Sequence, residues 1–447
     1  MIAAGFVGIF GVLIILRFPE VGFYVSILAS AFIAMPERLG IGGGPLGLMI
    51  EAITYLAFLS IIAKQYRERV KVSDFWQNPI SVMFILIIIY YFLSVLNPEY
   101  HSKMGWFNFV RKQISYLIFY YMAFVLLNSY EKIKKFIKFW LVLAFVIGLY
   151  GVKQQWVGLA EFEMDWLRAV PIRYELFYQS GFIRKFSFLN DPGSFGVLCA
   201  STAVFTLVLA IRETDKKRRR LLWFITAIMA MASSASGTRT CNLMIVAGIL
   251  AYAVFTLNER RTSIMVGSVI LLSGFLLFGP FQNNPLVFRI KTTFEANKDA
   301  SASVRDVNRH FIQPYIHDHP IGGGLNTCGV EGEIYNVGHT LAGFPPDSGY
   351  MKILLEQGWI GFALHLIFYF IFLYRGIYGF FTCQNPRIKT IYIALTICLF
   401  ALIVGQYSQV AISQYPQILF YFPALVILYK LKEYDTPIPE NEDKQLQ

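Results

Sequence analysis

Long apolar runs separated by short polar stretches follow one another along almost the whole chain. A helix that crosses a membrane needs roughly 20 apolar residues, and most of these runs approach or reach that length. They lie near residues 2–17, 20–35, 44–63, 79–96, 111–128, 136–157, 192–211, 221–235, 241–257, 264–280, 357–374, 390–409 and 415–430. The pattern therefore predicts an all-α integral membrane protein with 12–13 transmembrane helices.

One polar stretch is much longer than the others and separates the tenth predicted helix from the eleventh. Within it, Val307–Ile316 has apolar residues at helical spacing, which predicts an amphipathic helix lying on the membrane or on the bundle. The Pro320-Ile-Gly-Gly-Gly324 run then ends that helix. The chain thus divides into transmembrane helices 1–10 (residues 1–280), a large loop with short helices (281–356), the last three transmembrane helices (357–433) and a polar tail (434–447) predicted to be disordered.

Lysine and arginine are concentrated in alternate short loops, most densely at Lys216–Arg220. Positive charge in short loops marks the cytoplasmic side of a membrane protein, so these loops and the tail are predicted to be cytoplasmic. The opposite loops are predicted to face the periplasm or the cell exterior, and they are residues 97–110, 158–190, 236–240, 281–356 and 410–414. The pattern predicts a multi-pass protein of the bacterial inner membrane.

Composition supports the membrane interpretation. The 447 residues are 56% hydrophobic and 15% charged, whereas soluble domains carry about 25% charged residues. The net charge of +11 is explained by the basic loops, so it does not indicate a nucleic-acid partner. Met1 leads directly into an apolar run without a basic segment, which predicts that the first helix is retained rather than cleaved as a signal peptide.

Three of the arginines on the predicted outer side, outside the basic clusters, are candidates for a function. Arg239 ends a Ser-Gly-Thr-Arg turn, Arg184 precedes an Asn-Asp-Pro-Gly run, and Arg305 opens the helix of the large loop. An arginine at membrane depth costs about 2.5–3.5 kcal/mol on insertion scales, so it usually has a function. The alternatives are that Arg239 snorkels to lipid headgroups and that Arg305 pairs with Asp306 or Asp299. Together the three predict a phosphate or pyrophosphate site, because guanidinium groups bind such oxygens bidentately.

Two residues are candidates for proton transfer. Asp347 could accept a proton from a sugar hydroxyl or cap the following helix, and His339 could be a general base or a polar loop residue. Asp191 is either functional or an N-cap. The His317-Asp318-His319 run lacks the spacing and further ligands of a metal site, and the five cysteines show neither metal spacing nor a disulfide framework. No metal and no cofactor are predicted.

These features, in this order, resemble the O-antigen polymerase and O-antigen ligase superfamily over residues 184–375. The resemblance is carried by Ser236-Gly-Thr-Arg239, Arg305, His319-Pro-Ile-Gly-Gly-Gly324, and Asp347-Ser-Gly-Tyr350 through Glu356-Gln-Gly-Trp-Ile-Gly361. It implies a metal-independent glycosyltransferase that uses a polyprenyl-pyrophosphate glycan as donor. It also implies that Arg184, Arg239 and Arg305 bind the pyrophosphate, with Asp347 as the base and His339 as its substitute.

The chain departs from the family at one motif, because ligases carry a His-Asn or similar pair where this sequence has Asp347-Ser348. The departure favours a polymerase of O-antigen or another surface polysaccharide, working in the lipid bilayer beside a chain-length regulator. A ligase that attaches glycan to lipid A core is the alternative within the class. A lipid-glycan flippase or other transporter is the alternative from another class, although no internal repeat typical of transporters is present.

Overall fold

The computed structural model describes residues 2–42, 46–69, 72, 74–179, 181–257 and 300–436, with scattered positions between 259 and 274. These residues are mostly helical, with one hairpin of two-residue strands, β1 (Tyr178–Gln179) and β2 (Phe182–Ile183). The α-helices are α1 (Ile2–Arg17), α2 (Pro19–Ala31), α3 (Met35–Arg38), α4 (Leu46–Glu68), α5 (Asp74–Gln77), α6 (Pro79–Leu93), α7 (Lys103–Leu126), α8 (Tyr130–Trp156), α9 (Glu161–Arg168), α10 (Pro171–Phe177), α11 (Pro192–Arg212), α12 (Lys216–Ala235), α13 (Arg239–Phe255), α14 (Ala300–Asp318), α15 (Gly329–Tyr335), α16 (Gly349–Thr382), α17 (Pro386–Gly405) and α18 (Gln417–Lys430).

The helices confirm an all-α membrane protein. Twelve of the predicted apolar segments coincide with a helix, and the segment near 264–280 lies mostly outside the described residues. In the described part of the chain, six helices are long and apolar enough to cross a membrane: Leu46–Glu68, Pro79–Leu96, Tyr130–Trp156, Pro192–Arg212, Gly349–Thr382 and Pro386–Gly405. The total of twelve or thirteen crossings stays a prediction.

Contacts between loops sort them into the two ends of the bundle. The loops at 97–102, 157–191, 236–238, 319–348 and 406–416 contact one another through bonds such as those from Asn97 to the Gly322 carbonyl (2.7 Å) and from Arg184 to the Ser236 carbonyl (3.0 Å). We call this the outer end. The lysine- and arginine-rich loops lie at the opposite, basic end, where Arg212 pairs with Glu259 at 3.0 Å. This arrangement agrees with the alternation of charge along the sequence, and which end faces the periplasm stays a prediction.

Helix α11 lies at the centre of the bundle, packed against α12, α13 and α17. In the 18-residue apolar stretch of α11, 94% of the residues are buried inside the protein, compared with 33% in the corresponding stretch of α4 and 28% in that of α16. Small and polar residues allow this close packing; a Cβ on Gly196, for example, would lie 2.7 Å from the Cys241 sulfur. The residues that flank α11 at the outer end are therefore held on a rigid central element.

Helix α16 is broken near its outer end. Gly358 has φ 66° and ψ −165°, far from helical values, and this break separates a short outer part of α16 from the long apolar part. Residues 320–324 run across the break: the amides of Gly323 and Gly324 donate to two carbonyl groups just before it (2.8 and 3.1 Å), and the Pro320 carbonyl accepts from the amide just after it (2.9 Å). The backbone groups released by the break are thus satisfied by the loop rather than by water.

Two glycines allow this close crossing. Gly322 (φ 76°) and Gly358 lie back to back, and a Cβ on Gly322 would be 2.6 Å from the Gly358 nitrogen. Positive φ and a close backbone approach both require glycine. Two of the motifs that carried the family resemblance, the Gly-Gly-Gly run and the Glu-Gln-Gly run, therefore pack directly against each other.

Replacing Gly358 by alanine tests this crossing. The left-handed backbone and the collision of the new Cβ with the loop are expected to destabilise the protein by at least about 1–3 kcal/mol. The apparent unfolding temperature in detergent measures the effect. Gly47→Ala is the matched control, because Gly47 lies in α4 with nothing within 4 Å of a Cβ. Equal unfolding temperatures for the two variants would show that the crossing contributes nothing to stability.

Candidate active site at the outer end

A four-residue turn, Gln406–Gln409, connects the segments that carry the predicted site residues. It follows α17 directly, and we call it the hub turn. The Gln406 carbonyl accepts from Ser348 Oγ (3.0 Å), and the Gln409 carbonyl accepts from the Gly349 amide (3.2 Å). The Ser408 hydroxyl bonds the Thr240 hydroxyl at 2.6 Å. The hub turn therefore brings the start of α16 beside the start of α13.

Three helix N-termini converge on the hub turn. Helices α13 and α16 begin at Arg239 and Gly349, next to the residues that bond the turn. Helix α11 begins at Pro192, and a Cβ on its second residue would lie 3.0 Å from Gln409 Oε1. Helix N-termini carry partial positive charge and unsatisfied amide groups, so their convergence favours an anionic ligand.

Arg184 lies against the turn that leads to Arg239. The Arg184 guanidinium donates to the Ser236 carbonyl (3.0 Å) and to the Thr238 hydroxyl (2.7 Å), in the turn that ends at Arg239. Thr238 in turn bonds the Pro192 carbonyl (3.3 Å). Both arginines are half-buried. Arg184 thus fixes the turn on which Arg239 is presented.

Asp347 is exposed and directly precedes Ser348. The N-cap of α16 is Ser348, whose side chain accepts from the Met351 amide at 3.3 Å, so the capping alternative for Asp347 is wrong. Asp191, by contrast, does cap a helix, since its carboxylate accepts from the Ser194 amide at 2.9 Å. Capping fixes Asp191 in a structural role, while Asp347 lies beside the hub turn.

Arg305 belongs to α14 by its backbone, and its side chain lies outside the described residues. Arg309, one turn further along the same helix, is described. It donates to the Tyr407 hydroxyl (3.0 Å) and the Tyr407 carbonyl (3.1 Å), and its guanidinium lies 4.5 Å from the ring centroid. Helix α14 is therefore attached to the hub turn through Arg309, a residue that the sequence analysis did not single out.

His339 lies in a different group of residues. It is buried, and its ring lies 5.3 Å from that of His101. Its Nδ1 accepts from the Leu341 amide at 3.0 Å, and the ring also bonds the Gly323 carbonyl. Burial, and then the neighbouring His101, lowers the pKa of His339, so the ring is neutral at pH 7. Both ring nitrogens are committed to backbone groups, which makes His339 a support of the glycine-rich crossing.

A cavity of about 300 Å³ opens beside the hub turn, between α6, α7, α16 and α18. Its wall includes Gly349 and Gln406, which also belong to the hub contacts. The charged residues on its wall are Arg111, Lys112, Glu331, Lys352 and Glu356. The sequence analysis proposed none of them as site residues, and Glu356 entered it only as part of a run that carries the family resemblance. Arg184, Arg239, Asp347 and His339 do not line this cavity.

Among the described residues, no group of three or more histidine, cysteine, aspartate or glutamate side chains is arranged to hold a metal ion. The residues described on the outer end provide instead helix N-termini, guanidinium groups, carboxylates and hydroxyls.

The chain is thus a multi-pass helical membrane protein with a polar site at one end of its bundle. Residues 224–366 match the family model described as O-antigen ligase. Over that region, the match confirms the resemblance to the O-antigen polymerase and ligase superfamily. Members of this family are glycosyltransferase-like enzymes that act on lipid-linked glycans in a membrane. A search of curated proteins found no match.

The lowered pKa of His339 predicts a pH-dependent loop. A group whose pKa is lower in the folded state than in the unfolded state stabilises the fold at pH values above its unfolded pKa, which is about 6.5 for histidine. This stabilisation is lost as the pH falls through the folded-state pKa. Residues 319–348 are therefore expected to exchange amide hydrogens faster at about pH 5 than at about pH 7.5, after correction for intrinsic rates. A third histidine, His319, lies nearby, with its Nε2 3.8 Å from the Glu99 carboxylate. The negative charge of Glu99 opposes the lowering of the His339 pKa.

Two variants make this prediction specific. His339→Asn keeps an acceptor near the Leu341 amide but cannot titrate, so it is expected to abolish the pH dependence. His310→Gln is the control, because His310 is exposed on α14 and its loss should leave the dependence intact. Unchanged pH dependence in His339→Asn would assign it to another group.

Proposed function

We propose that this protein is a polymerase of O-antigen or another surface polysaccharide. It transfers a glycan from a polyprenyl-pyrophosphate donor to a sugar hydroxyl of a lipid-linked acceptor. The active site is at the outer end of the bundle, facing the periplasm from the bacterial inner membrane. A separate chain-length regulator is the expected partner.

The convergence on the hub turn is the observation that carries this proposal. Three helix N-termini and the Arg239 turn meet there, and Arg309 attaches the helix that also contains Arg305. Positive helix ends and guanidinium groups are the features that bind phosphate oxygens. A lipid pyrophosphate enters from the bilayer, which explains why these groups lie at the ends of membrane helices.

In the proposed reaction the acceptor hydroxyl oxygen attacks the anomeric carbon of the donor. The new glycosidic C–O bond forms as the C–O bond to pyrophosphate breaks, and the polyprenyl pyrophosphate leaves with the bonding electrons. Arg184, Arg239 and Arg305 are assigned to the pyrophosphate, where stabilising the charge of the leaving group is a large part of catalysis. The hydroxyl proton passes to a general base.

Asp347 is the better supported base. It is exposed and adjoins the hub turn through Ser348, and the hub turn also bonds Thr240 beside Arg239. His339 was the substitute candidate, but its Nδ1 accepts from a backbone amide and its ring also bonds a backbone carbonyl. A neutral histidine with both nitrogens engaged is a poor proton acceptor.

Ligase activity is the second candidate, and the matched family is itself described as O-antigen ligase. The polymerase is preferred because Asp347-Ser348 stands where ligases carry a His-Asn or similar pair. The two differ only in the acceptor, a lipid-linked repeat unit for the polymerase and lipid A core for the ligase. A transporter is not supported by the family match.

Reconstituted protein supplied with a lipid-pyrophosphate repeat unit tests the proposal. Wild type is expected to form a ladder of polymer lengths. Arg239→Ala is expected to lower kcat/KM by about 10²–10³-fold through lost charge stabilisation. Asp347→Asn is expected to lower it by about 10²–10⁴-fold through loss of the base.

Arg168→Ala is the matched control, because Arg168 is an exposed arginine at the outer end, away from the hub turn. It should retain full activity. If the protein transferred glycan only to lipid A core, the proposed polymerase activity would be wrong and the ligase activity would be favoured. If the donor moved across the bilayer without formation of a new glycosidic bond, the proposed enzyme activity would be wrong and a transporter would be favoured.

A further inference from the structure

A larger cavity lies at the basic end of the bundle, at the opposite end from the hub turn. It is a groove of about 1020 Å³ between α8, α11, α12 and α17. Three of these helices, α8, α11 and α17, are long and apolar enough to cross a membrane. The groove therefore runs along membrane helices, and the proposed reaction makes no use of it. We call it the basic groove.

The wall of the basic groove changes from charged to apolar along α8. Lys134 and Lys138 line it within the first three turns of the helix, and Leu141, Val142 and Phe145 line it over the next two turns. At a rise of about 1.5 Å per residue, Phe145 lies about 10 Å further along the helix than Lys138. The groove thus has a charged rim at the basic end and an apolar floor deeper in the bundle.

Helix α12 shows the same order. Arg218 lines the groove from its first turn, and Leu221, Leu222 and Ile225 line it further along. Leu221 is 58% exposed, and Val142 on α8 is 56% exposed. Exposed apolar side chains of this kind, rimmed by polar residues, mark a contact with a membrane or another apolar partner.

The carboxylates on the rim are already engaged. Glu213 accepts from two amides of its own loop (2.9 and 3.1 Å), and Asp215 caps α12 by accepting from the Arg218 amide (2.7 Å). Glu259 pairs with Arg212 at 3.0 Å. These three face five basic side chains on the same wall, so positive charge is in excess.

Three of the basic side chains come from three different helices. Lys138 on α8, Arg218 on α12 and Arg387 on α17 line the groove, and none of them makes an ion pair with a carboxylate in the part of the chain that the structure describes. Lys134, by contrast, pairs with Glu131 at 2.6 Å. The positive charge therefore converges on the groove from separate helices, which favours an anionic ligand.

Charge and shape together select the class of ligand. A soluble polyphosphate would suit the cations but leave the apolar floor unfilled, whereas an uncharged lipid would leave the cations without a counterion. A phospholipid with a negatively charged head group suits both parts, because its phosphate lies at the membrane surface and its acyl chains extend into the bilayer. Basic pockets between membrane helices bind lipid head groups in this way.

We propose that the basic groove binds an anionic phospholipid from the leaflet at the basic end. The lipid phosphate lies among Lys138, Arg218 and Arg387, and an acyl chain lies along the apolar side chains of α8 and α12. This site is separate from the glycan chemistry at the outer end and does not depend on the proposed function.

Native mass spectrometry of the full-length protein in detergent micelles tests the proposal. The protein is titrated with phosphatidylglycerol and, separately, with phosphatidylcholine of the same acyl chains. Wild type is expected to bind phosphatidylglycerol more tightly. The double variant Lys138→Gln/Arg218→Gln is expected to weaken phosphatidylglycerol binding by about 10–30-fold, because each basic residue near a lipid surface contributes about fivefold. Its phosphatidylcholine binding should be nearly unchanged.

Lys217→Gln/Arg220→Gln is the matched control. It removes the same charge from the same end of α12, and both residues are exposed and off the groove wall. Equal weakening in the two double variants would overturn the proposal, since general attraction to the basic end would then explain the preference. Equal affinity of wild type for the two lipids would overturn it as well.

The apolar floor is tested with Val142→Trp, which fills the groove beside the acyl chain and is expected to weaken binding of both lipids. Val146→Trp is its control, because Val146 lies one turn further along α8, is 44% exposed and is not on the groove wall. An excess of inorganic phosphate should not displace the lipid. Unchanged phosphatidylglycerol binding in Val142→Trp, or displacement by phosphate, would make the groove a site for soluble anions and overturn the lipid assignment.

Discussion

The crossing of residues 320–324 over the break at Gly358 is the constraint on which the outer end depends. A helix interrupted near a membrane surface releases backbone amides and carbonyls, and these are tolerated only where protein satisfies them. Here the loop provides the missing partners, so the large polar segment is attached to a membrane helix by main-chain hydrogen bonds. Glu356, just before the break, accepts from the Cys328 amide of the loop at 3.4 Å. His339 then braces the crossing through the Gly323 carbonyl.

Much of the fold could be predicted because membrane helices leave a simple record in the sequence. Apolar length located twelve helices, and the alternation of basic loops agrees with the two ends defined by contacts. Boundaries were less certain where polar residues begin a helix. Helix α16 starts at Gly349, eight residues before the predicted apolar run, because Ser348 caps a polar first turn that precedes the break.

The candidate site was only partly predictable. Arg184 and Arg239 could be singled out in advance, since both lie beside turns in loops predicted to be on the same side. The hub turn could not, because Gln406-Tyr-Ser-Gln409 is uncharged and falls at the end of a predicted apolar segment, and its importance arises from contacts with three distant helices. The cavity was missed for the same reason. Arg111 stands at the edge of the predicted apolar run near 111–128, and its partner Glu51 lies on α4, so only the packing of α4 on α7 joins them.

The groups around the hub turn suit one kind of ligand. The arginine turn and the helix N-termini present donors and positive charge, which suit a pyrophosphate that accepts hydrogen bonds and leaves as an anion. The two carboxylates near the start of α16 differ in burial. Glu356 is sealed from solvent and faces the Cys328 amide and the Lys352 ammonium, so it joins the loop to α16, whereas Asp347 is exposed. The assignment of proton transfer to Asp347 in the proposed reaction therefore follows from burial, since only an exposed carboxylate can meet an acceptor hydroxyl.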